Sequence, residues 1–399
     1  MASPKRCYTK THFCSKRNAY ICRYEEKTVG MPRKNLHEAP FDEGTITKLE
    51  IFEAYAGAWL PTFIMSGSPD LFVYDFFAGT GYDIKGVEGS PIRILKQIQN
   101  QIHNVFQKKT SIHFIVNELD KTKFVQLQTS CNEFISNSPE LTRAGIDMKY
   151  YNRDAGELFD ELFPEIGKNP SLVYMDQNGV KFASDKYILG LAQKQRTDFM
   201  FFLSSSYVIR FGETTEFKKA IDVDVEACKN NPYKYIHKNL VEQFQKKLPK
   251  GSKVVLAPFS IKKGSNIYGI IFGASHPRAL DKFLKIAWSE NSINGSANFD
   301  IDDDVSKYQL SLFDDQPLTK IGAFKKDLRE HILNGTIKNN KDAYLYTLSK
   351  GHLDTHAKEE IMEMKRNGLI SYPERLPKVN YAQVYDKESI VVFTVNTKE

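Results

Sequence analysis

A short glycine-rich segment carries the clearest chemistry in the chain. It has the sequence Asp75-Phe76-Phe77-Ala78-Gly79-Thr80-Gly81 and closes an apolar stretch, residues 71–77, that predicts a β-strand. Glycines at such a turn let a ligand approach the backbone where a Cβ atom would clash. The carboxylate of Asp75 suits a cationic amino group. We therefore predict a ligand-binding turn that includes Asp75, Ala78, Gly79 and Gly81, and a tight turn without a ligand is the alternative.

Two further acidic residues follow the next predicted strands. Glu118 comes after strand 112–116, where a carboxylate can accept hydrogen bonds from both hydroxyls of a ribose. Asp154 and Ala155 follow strand 148–152, where the carboxylate could accept from an adenine amino group and the Ala155 N–H could donate to the ring. The alternatives are an ordinary surface carboxylate at Glu118 and a helix N-cap at Asp154.

The elements that must position these residues alternate between strand and helix. This order predicts a mostly parallel sheet with helices on both faces. The last two strands, 254–259 and 267–273, are joined by only a short turn and should form an antiparallel hairpin. A doubly wound sheet with such a reversed edge is the layout of class I methyltransferases, which bind S-adenosylmethionine. A nicotinamide fold lacks the reversal, and its third glycine is replaced here by Ile84.

Asp176 follows the strand at 172–175, a position that faces the transferred methyl group in the class I layout. We expect Asp176 to position or deprotonate a nucleophile, and a structural turn is the alternative. Enzymes that methylate exocyclic amines usually have an acid-Pro-Pro-aromatic turn here. This chain has Asp176-Gln177-Asn178-Gly179, which retains only the acid.

Ser90-Pro91 predicts the start of the helix that follows the glycine turn. Such a helix N-terminus favours a ligand carboxylate, so Ser90 joins the predicted cofactor-binding residues. Eight residues, 82–89, separate Gly81 from this helix. Either they displace the helix dipole from the ligand or they form a loop that covers it. Upstream, Thr47-Lys48-Leu49-Glu50 matches a capping box and predicts another helix start.

The C-terminal part predicts a separate domain. Three short helical patterns end at Gly335, Gly351 and Gly368, and two strands at 379–385 and 389–395 follow them. This order is typical of a winged helix-turn-helix. Lys358, Lys365 and Arg366, together with His356, are candidate contacts to DNA phosphates. Residues 320–399 contain 14 lysine or arginine and 11 acidic residues, so a protein-docking role is equally open.

Composition limits the class of protein. Residues 1–40 contain nine lysine or arginine and three acidic residues, which equals the net charge of +6 of the whole chain. This basic arm could contact nucleic acid or be a solvated tail. Five cysteines, an odd number, favour a reducing, cytoplasmic compartment, and Cys7, Cys14 and Cys22 lack the spacing of a zinc site. No apolar run is long enough to predict a membrane span.

These motifs together resemble the three-Cys-motif partner protein (TcmP) family, a bacterial group with a methyltransferase-like domain and a C-terminal winged helix. The resemblance covers roughly residues 41–370. Besides the glycine turn and Asp176-Gln177-x-Gly179, the matching pieces are Thr47-Lys48-Leu49 with Tyr55 and Trp59, Gly89-Ser90-Pro91, Arg210-Phe211, Lys285-x-x-Trp288 and Asn294-Gly295. The resemblance implies S-adenosylmethionine as cofactor and a protein with three cysteines as partner, and it implies no particular methyl acceptor.

The resulting prediction has four parts along the chain. They are a basic arm at 1–40, a methyltransferase-like domain at 41–299, an acidic linker at 300–319 and a winged helix at 320–399. The leading hypothesis is an S-adenosylmethionine-dependent methyltransferase whose acceptor is a nucleic acid, a protein or a small molecule. One alternative is a non-catalytic module that binds DNA or protein. Another is a metal-dependent nuclease that uses Asp302, Asp303 and Asp304.

Overall fold

The computed structural model describes residues 40–396 apart from 178–181, 183, 231–232 and 311–317. The predicted basic arm lies outside the described residues except for Pro40, and so do Cys7, Cys14 and Cys22. Asn178 and Gly179 of the turn after the fourth strand also lie outside them. Within the described part, no helix is both long and apolar enough to cross a membrane.

A seven-stranded sheet forms the centre of the fold, with strand order β3-β2-β1-β4-β5-β7-β6. The first five strands are parallel, and β7 pairs antiparallel with both β5 and β6. The predicted class I methyltransferase layout, with its reversed edge hairpin, is therefore confirmed. The strands are β1 Asp70–Asp75, β2 Ser111–Asn117, β3 Asp147–Tyr151, β4 Ser171–Met175, β5 Thr197–Ser204, β6 Val255–Lys263 and β7 Asn266–Ala274.

Helices cover both faces of this sheet. Alternate residues of each strand enter two different hydrophobic cores, as Val73 and Tyr74 of β1 do. The described helices before the C-terminal part are α1 Glu43–Met65, α2 Ser90–Asn100, α3 Ile102–Lys108, α4 Lys121–Ser136, α5 Pro139–Ala144, α6 Ala155–Leu162, α7 Asp185–Ala192, α8 Ser205–Phe211, α9 Thr215–Ala220, α10 Val225–Asn230, α11 Ile236–Lys247, α12 Pro277–Glu290 and, within the predicted linker, α13 Asp304–Leu310, with a 3₁₀ turn at Tyr233–Tyr235.

Helix α1 begins earlier than the capping-box pattern predicted. Asp42 is its N-cap and accepts the backbone N–H of Thr45 at 3.0 Å through Oδ1. Thr47 lies inside the helix and is buried, so the predicted helix start at that residue is wrong. A Thr-x-x-Glu spacing also occurs by chance inside helices, and an acceptor side chain one turn upstream decided where the helix starts.

The C-terminal part contains the predicted three helices, α14 Lys320–Leu333, α15 Asn340–Ser349 and α16 Asp354–Arg366. The predicted hairpin between 379–385 and 389–395 is wrong. Instead, β8 (Ile370–Ser371) pairs antiparallel with β9 (Thr394–Val395). Instead of a strand, Ala382–Asp386 forms a turn of π-helix. The side chain of Asn380, just before this turn, accepts the backbone N–H of Gln383 at 3.0 Å. A local side-chain bond thus competed successfully with the strand pattern.

The winged helix packs directly on the sheet domain, because residues of α14, α15 and α16 belong to the same hydrophobic core as α1, α2 and α12. Trp288 of α12 lies at this contact, which we call the Trp288 seam. Its Nε1 donates to the carbonyl of Gly351 at 3.0 Å, and its ring lies 4.6 Å from that of His356. His356 is therefore buried, and burial lowers its pKa to about 4. Its predicted contact with DNA is excluded by this packing.

Candidate functional site

The glycine turn lies at the carboxyl edge of the sheet, directly after β1. Gly79 and Gly81 have φ angles of +66° and +89°, a region that side chains other than glycine rarely adopt. A Cβ atom on Gly81 would lie 2.7 Å from Cβ of Ser130. Ala78 is buried, and its backbone N–H donates to the carbonyl of Asn117 at 2.9 Å. The glycines are therefore required by the fold itself, and Ala78 joins this turn to β2.

The eight residues between Gly81 and α2 fold into a closed loop. The backbone N–H of Gly89 donates to the carbonyl of Gly81 at 2.7 Å, so the chain returns to the turn. Asp83 holds the loop by accepting the backbone N–H groups of Lys85 and Val87, each at 2.8 Å. The N-terminus of α2 therefore lies beside the glycine turn. Whether the helix dipole or the loop contacts a ligand stays a prediction.

Asp75 is not the free carboxylate that the sequence predicted. It is 1% exposed, and its Oδ2 accepts the hydroxyl of Ser90 at 2.6 Å while its Oδ1 accepts the N–H of Phe77 at 3.1 Å. Burial raises the pKa of Asp75 to about 7, and these two hydrogen bonds oppose that rise. Asp75 and Ser90 thus bind each other and tie the end of β1 to the first turn of α2.

Glu118 lies at the carboxyl end of β2 with a partly exposed side chain, and its Oε1 accepts the N–H of Asp120 at 2.8 Å. Leu119 follows it and is 52% exposed. Asn152, from the end of β3, donates to the carbonyls of Glu118 and Leu119 at 2.7 and 2.8 Å. Asn152 therefore fixes the backbone of Glu118 and Leu119. The side chain of Glu118 is partly exposed to solvent and that of Leu119 is exposed.

Asp154 is the N-cap of α6, as the alternative interpretation predicted. Its Oδ1 accepts the backbone N–H groups of Gly156 at 2.8 Å and Glu157 at 3.3 Å. Ala155 is the first residue of α6 and is buried. Both residues lie at the same edge of the sheet as Glu118, since Tyr151 pairs with Asn117 in parallel register. The adenine contact stays a prediction.

Asp176 follows β4 and forms an ion pair with Lys48 of α1, a residue that sequence reasoning did not select. The Lys48 side chain is 7% exposed, the Asp176 side chain is 20% exposed, and the Lys48 ammonium lies 4.3 Å from the centre of the Phe202 ring. Phe202 in turn stacks on Tyr268 with a centroid distance of 5.5 Å. The sequence did contain a signal for this ion pair. Lys48 lies one helical turn before Phe52 and two before Tyr55, on an apolar helix face, and a buried lysine requires a partner of opposite charge.

The three candidate DNA contacts of α16 differ in exposure. Lys358 and Arg366 are exposed. Lys365 is partly buried and donates to the carbonyls of Tyr372 and Glu374, each at 2.8 Å. The Lys365 ammonium therefore binds backbone carbonyls of the segment after α16, and this internal role replaces the predicted contact with a DNA phosphate. The glutamates of α16 pair with α14, since Lys325 contacts Glu359 at 2.8 Å and Arg329 contacts Glu360 at 2.6 Å and Glu363 at 3.5 Å.

The three aspartates considered for a nuclease are engaged within the protein. Asp302 accepts the hydroxyl of Tyr235 at 2.9 Å, Asp303 pairs with Lys234 at 2.7 Å, and Asp304 accepts the N–H of Lys320 at 3.0 Å. Across the part of the chain that the structure describes, no group of three or more His, Cys, Asp or Glu side chains converges as a metal site requires.

Comparison with known protein families gives one match. Residues 298–375 match the model of the GMT-like wHTH domain. This match supports the winged helix and begins inside the segment predicted as a linker, where the structure has α13. It covers too little of the chain to assign the whole protein to a family. No curated protein matches the chain significantly.

The solved structures that are similar to the chain at low identity include three methyltransferase-fold proteins. One is a Listeria monocytogenes protein described as a class I S-adenosylmethionine-dependent methyltransferase (10% identity, 59% of this chain and 63% of that chain, TM-score 0.29). Another is the O-methyltransferase TomG from Streptomyces achromogenes (11%, 58% and 89%, TM-score 0.28). The third is Trm1 from Pyrococcus horikoshii (8%, 90% and 92%, TM-score 0.33). The chain spans a little under two thirds of the length of the Listeria protein.

Proposed function

We propose that the chain binds S-adenosylmethionine at the carboxyl edge of its sheet and transfers the methyl group to an acceptor held beside Asp176. The observation that carries this proposal is the solvent-facing pair Glu118 and Leu119 at the end of β2, next to the glycine turn and the start of α2. Ligands of open α/β sheets bind at this edge, outside the carboxyl ends of the strands.

The residues present fit the parts of such a ligand. Glu118 offers a carboxylate to two ribose hydroxyls, and the 52% exposed Leu119 offers an apolar surface to a purine ring. The first turn of α2 carries no side-chain cap at Gly89, so its N–H groups and dipole favour the ligand carboxylate. Asp75 and Ser90 act behind this surface by fixing the turn, and we assign them a positioning role.

The sulfonium of S-adenosylmethionine supplies an electrophilic methyl group. The chain must then hold a nucleophile in line with it, and positioning contributes most to such reactions. Lys48 fixes one carboxylate oxygen of Asp176, and the other oxygen can orient the acceptor or receive its proton. The partly exposed stack of Phe202 and Tyr268 lies on the same side and offers a flat apolar contact to an acceptor.

Calorimetric titration of the full chain with S-adenosylmethionine tests this proposal. We expect binding, and we expect Glu118→Ala to weaken it about tenfold or more because charge-assisted hydrogen bonds to the ribose are lost. Glu226→Ala removes an exposed glutamate of α10 and serves as the matched control, with affinity unchanged. No binding at millimolar ligand, or equal binding by the two variants, would sink the proposal.

A non-catalytic binding module is the second candidate, favoured by the winged-helix match and by the exposed cations Lys358 and Arg366. The partner would be DNA or, following the TcmP resemblance, a protein with three cysteines in a bacterial cytoplasm. Incubation with cofactor labelled at the methyl group decides between the candidates. Label transferred to nucleic acid, protein or a small molecule supports the enzyme, whereas bound cofactor without any transfer supports the module.

A further inference from the structure

Three chemically different groups meet where we propose that the methyl acceptor binds. Phe202 of β5 and Tyr268 of β7 are partly exposed, and their rings lie within 8° of parallel with centroids 5.5 Å apart. The Lys48 ammonium is 4.3 Å from the centre of the Phe202 ring and pairs with Asp176. Because one ammonium contacts both the ring and the carboxylate, these four side chains form a single surface, which we call the acceptor surface.

Asp176 is the hydrogen-bonding group of the acceptor surface that a ligand can reach. Its side chain is 20% exposed, and its Oδ2 accepts the ammonium of Lys48. Its other oxygen, Oδ1, is not bonded by any residue that the structure describes. The charges of Lys48 and Asp176 oppose each other, so the surface offers an acceptor oxygen with little net charge. Such a surface favours a neutral ligand with an N–H or O–H donor over an anion or a cation.

The basicity of a carboxylate narrows the type of nucleophile. A carboxylate is a far weaker base than a phenolate or an alkoxide, so Asp176 is poorly suited to deprotonating a phenol or an alcohol. His237 does not supply a second base, because it is buried on the opposite face of the sheet, where its Nε2 donates to the carbonyl of Leu203 at 2.9 Å.

The two kinds of amine differ in the same respect. An aliphatic amine is protonated at neutral pH, has no lone pair to donate and would be repelled by Lys48. An amino group on an aromatic ring is neutral at that pH and attacks with its own lone pair, so it requires a proton acceptor only as the new bond forms. A flat ring also suits Phe202 and Tyr268, since aromatic pairs gain free energy beyond the burial of their area.

We propose that the methyl acceptor is an aromatic amine, and this inference rests on the proposed methyltransferase function. Its ring lies against Phe202 and Tyr268, and one N–H of its amino group donates to Oδ1 of Asp176. Transfer forms the N–C bond as the C–S bond of the sulfonium breaks and leaves its electron pair on sulfur. One N–H proton passes to Asp176 and then to water. Adenine, guanine and cytosine are such rings, either in a nucleic acid or as free nucleosides, and the experiment separates these sources.

The first test measures binding by calorimetric titration of the full chain saturated with S-adenosylhomocysteine, which occupies the cofactor site and has no methyl group to transfer. The probes are adenosine, guanosine and cytidine, each compared with a matched ring that lacks the amino group, namely purine riboside, inosine and uridine. In at least one pair the amine should bind about tenfold more tightly, because only it offers this N–H to Asp176.

Phe202→Leu removes the flat ring while keeping an apolar side chain, and it should weaken binding of that nucleoside about tenfold. Phe163→Leu is the matched control. Phe163 follows α6, is also partly exposed, and has the ammonium of Lys194 at 3.9 Å from its ring centre. This control variant should bind the nucleoside as the native chain does.

The second test follows a labelled methyl group from S-adenosylmethionine to the three nucleosides, to RNA homopolymers of the same bases, to aniline, to catechol and to cadaverine. We expect label on a ring-attached nitrogen, located by mass spectrometry, and none on catechol or cadaverine. Transfer to a homopolymer but not to its nucleoside identifies a nucleic acid as the source, and the reverse identifies a free small molecule. Asp176→Asn should lower transfer about 100-fold while S-adenosylmethionine still binds.

Failure of S-adenosylmethionine to bind would overturn the proposed function itself. Binding of the cofactor with label on an oxygen or on an aliphatic nitrogen would retain that function and overturn the aromatic amine. Binding of the cofactor without transfer to any of the aromatic amines would overturn it as well. Equal nucleoside affinities of Phe202→Leu and Phe163→Leu would exclude the rings from the site, and this comparison keeps the test decisive if Asp176→Asn, which leaves Lys48 without its counter-ion, fails to fold.

Discussion

At the scale of single residues, Asp75 makes the stability of the protein depend on pH. Its pKa is about 7 in the folded chain, against 3.8 for an unperturbed aspartate, because burial disfavours the charged form. The folded state therefore retains a proton that the unfolded state has already lost. The resulting stabilisation is fully present below pH 3.8 and is lost as the pH rises to about 7.

Asp75→Asn should remove this dependence while keeping both hydrogen bonds, because an asparagine amide can donate to Ser90 and its oxygen can accept from Phe77. We expect the variant to gain stability relative to the native chain between pH 4 and pH 8, by on the order of 3 kcal/mol. Urea denaturation at both pH values measures this difference. Burial lowers the pKa of His237 to about 4, so this residue makes the protein more stable as the pH rises, opposite to the effect of Asp75. The informative quantity is therefore the difference in stability between Asp75→Asn and the native chain at each pH.

A Glu118→Gln variant is the control, because this side chain is partly exposed and its single intramolecular bond is to the N–H of Asp120. Its stability should follow that of the native chain across the same range. Parallel pH profiles for Asp75→Asn and the native chain would show that Asp75 is ionised in the folded protein, contrary to the prediction.

The sequence was informative about residues with a local role and much less about those with distant partners. Glycine turns and acids after strands have local signatures, so the turn at Gly79 and Gly81 and the acid Glu118 could be found. The ion pair between Lys48 and Asp176 joins residues 128 positions apart, and no local pattern encodes it. Asp75 was selected as a free carboxylate, but it is buried and bonded to Ser90, a contact between residues 15 positions apart that no local pattern encodes.

At the scale of elements, the loop between β1 and α2 depends on two different properties of glycine. Gly81 and Gly86 both have positive φ, +89° and +78°. A Cβ atom at Gly81 would lie 2.7 Å from that of Ser130, whereas a Cβ atom at Gly86 would have no neighbour within 4 Å. Gly86→Ala should therefore cost only the backbone strain, about 1 kcal/mol, and Gly81→Ala should cost roughly 2–4 kcal/mol.

Denaturation of the two variants separates these effects, and cofactor titration shows whether they reach the site. Gly81→Ala should also abolish binding of S-adenosylmethionine, since α4 and the turn must separate to admit the extra methyl group. Gly86→Ala should bind normally. Equal stability losses for the two variants would mean that the contact with Ser130 relaxes without cost, and the turn would then be less constrained than the structure indicates.

Element types were predictable where burial follows a clear period. The six strands predicted above begin and end within about four residues of their predicted positions, because buried strands are short apolar runs between turn residues. The strands of the C-terminal wing, in contrast, were not predicted correctly. Residues 379–385 alternate like a strand, but stacking of Tyr381 on Tyr385 at 5.1 Å and the bond from Gln383 to Asn380 favour a helical turn. Such pairings are decided by packing against a neighbour.

At the scale of the whole molecule, the two predicted domains form one packed body in the described region from residue 40 onward. The Trp288 seam explains how. Gly295, at φ +56°, leaves its Cα against the indole, where a Cβ atom would approach within 2.4 Å. Lys320 of α14 places its ammonium 5.0 Å from the indole centre and donates to the carbonyl of Asn294 and, at 2.5 Å, to the hydroxyl of Ser296. Trp288, Asn294 and Gly295 therefore have a structural role between the domains.

Trp288→Ala should uncouple the winged helix from the sheet domain. Truncation of a buried tryptophan costs roughly 3–5 kcal/mol, and here that loss falls on the contact between two parts, each with its own helices. Scanning calorimetry should show one transition for the native chain and two for the variant, the winged helix unfolding first because it has the smaller core. Phe52→Ala is the matched control, since Phe52 stacks on Tyr174 in the sheet domain with a centroid distance of 3.6 Å. That variant should unfold at a lower temperature in a single transition. A single transition for Trp288→Ala, shifted as far as in the control, would mean that the remaining apolar contacts of α12, α15 and α16 hold the parts together without the indole.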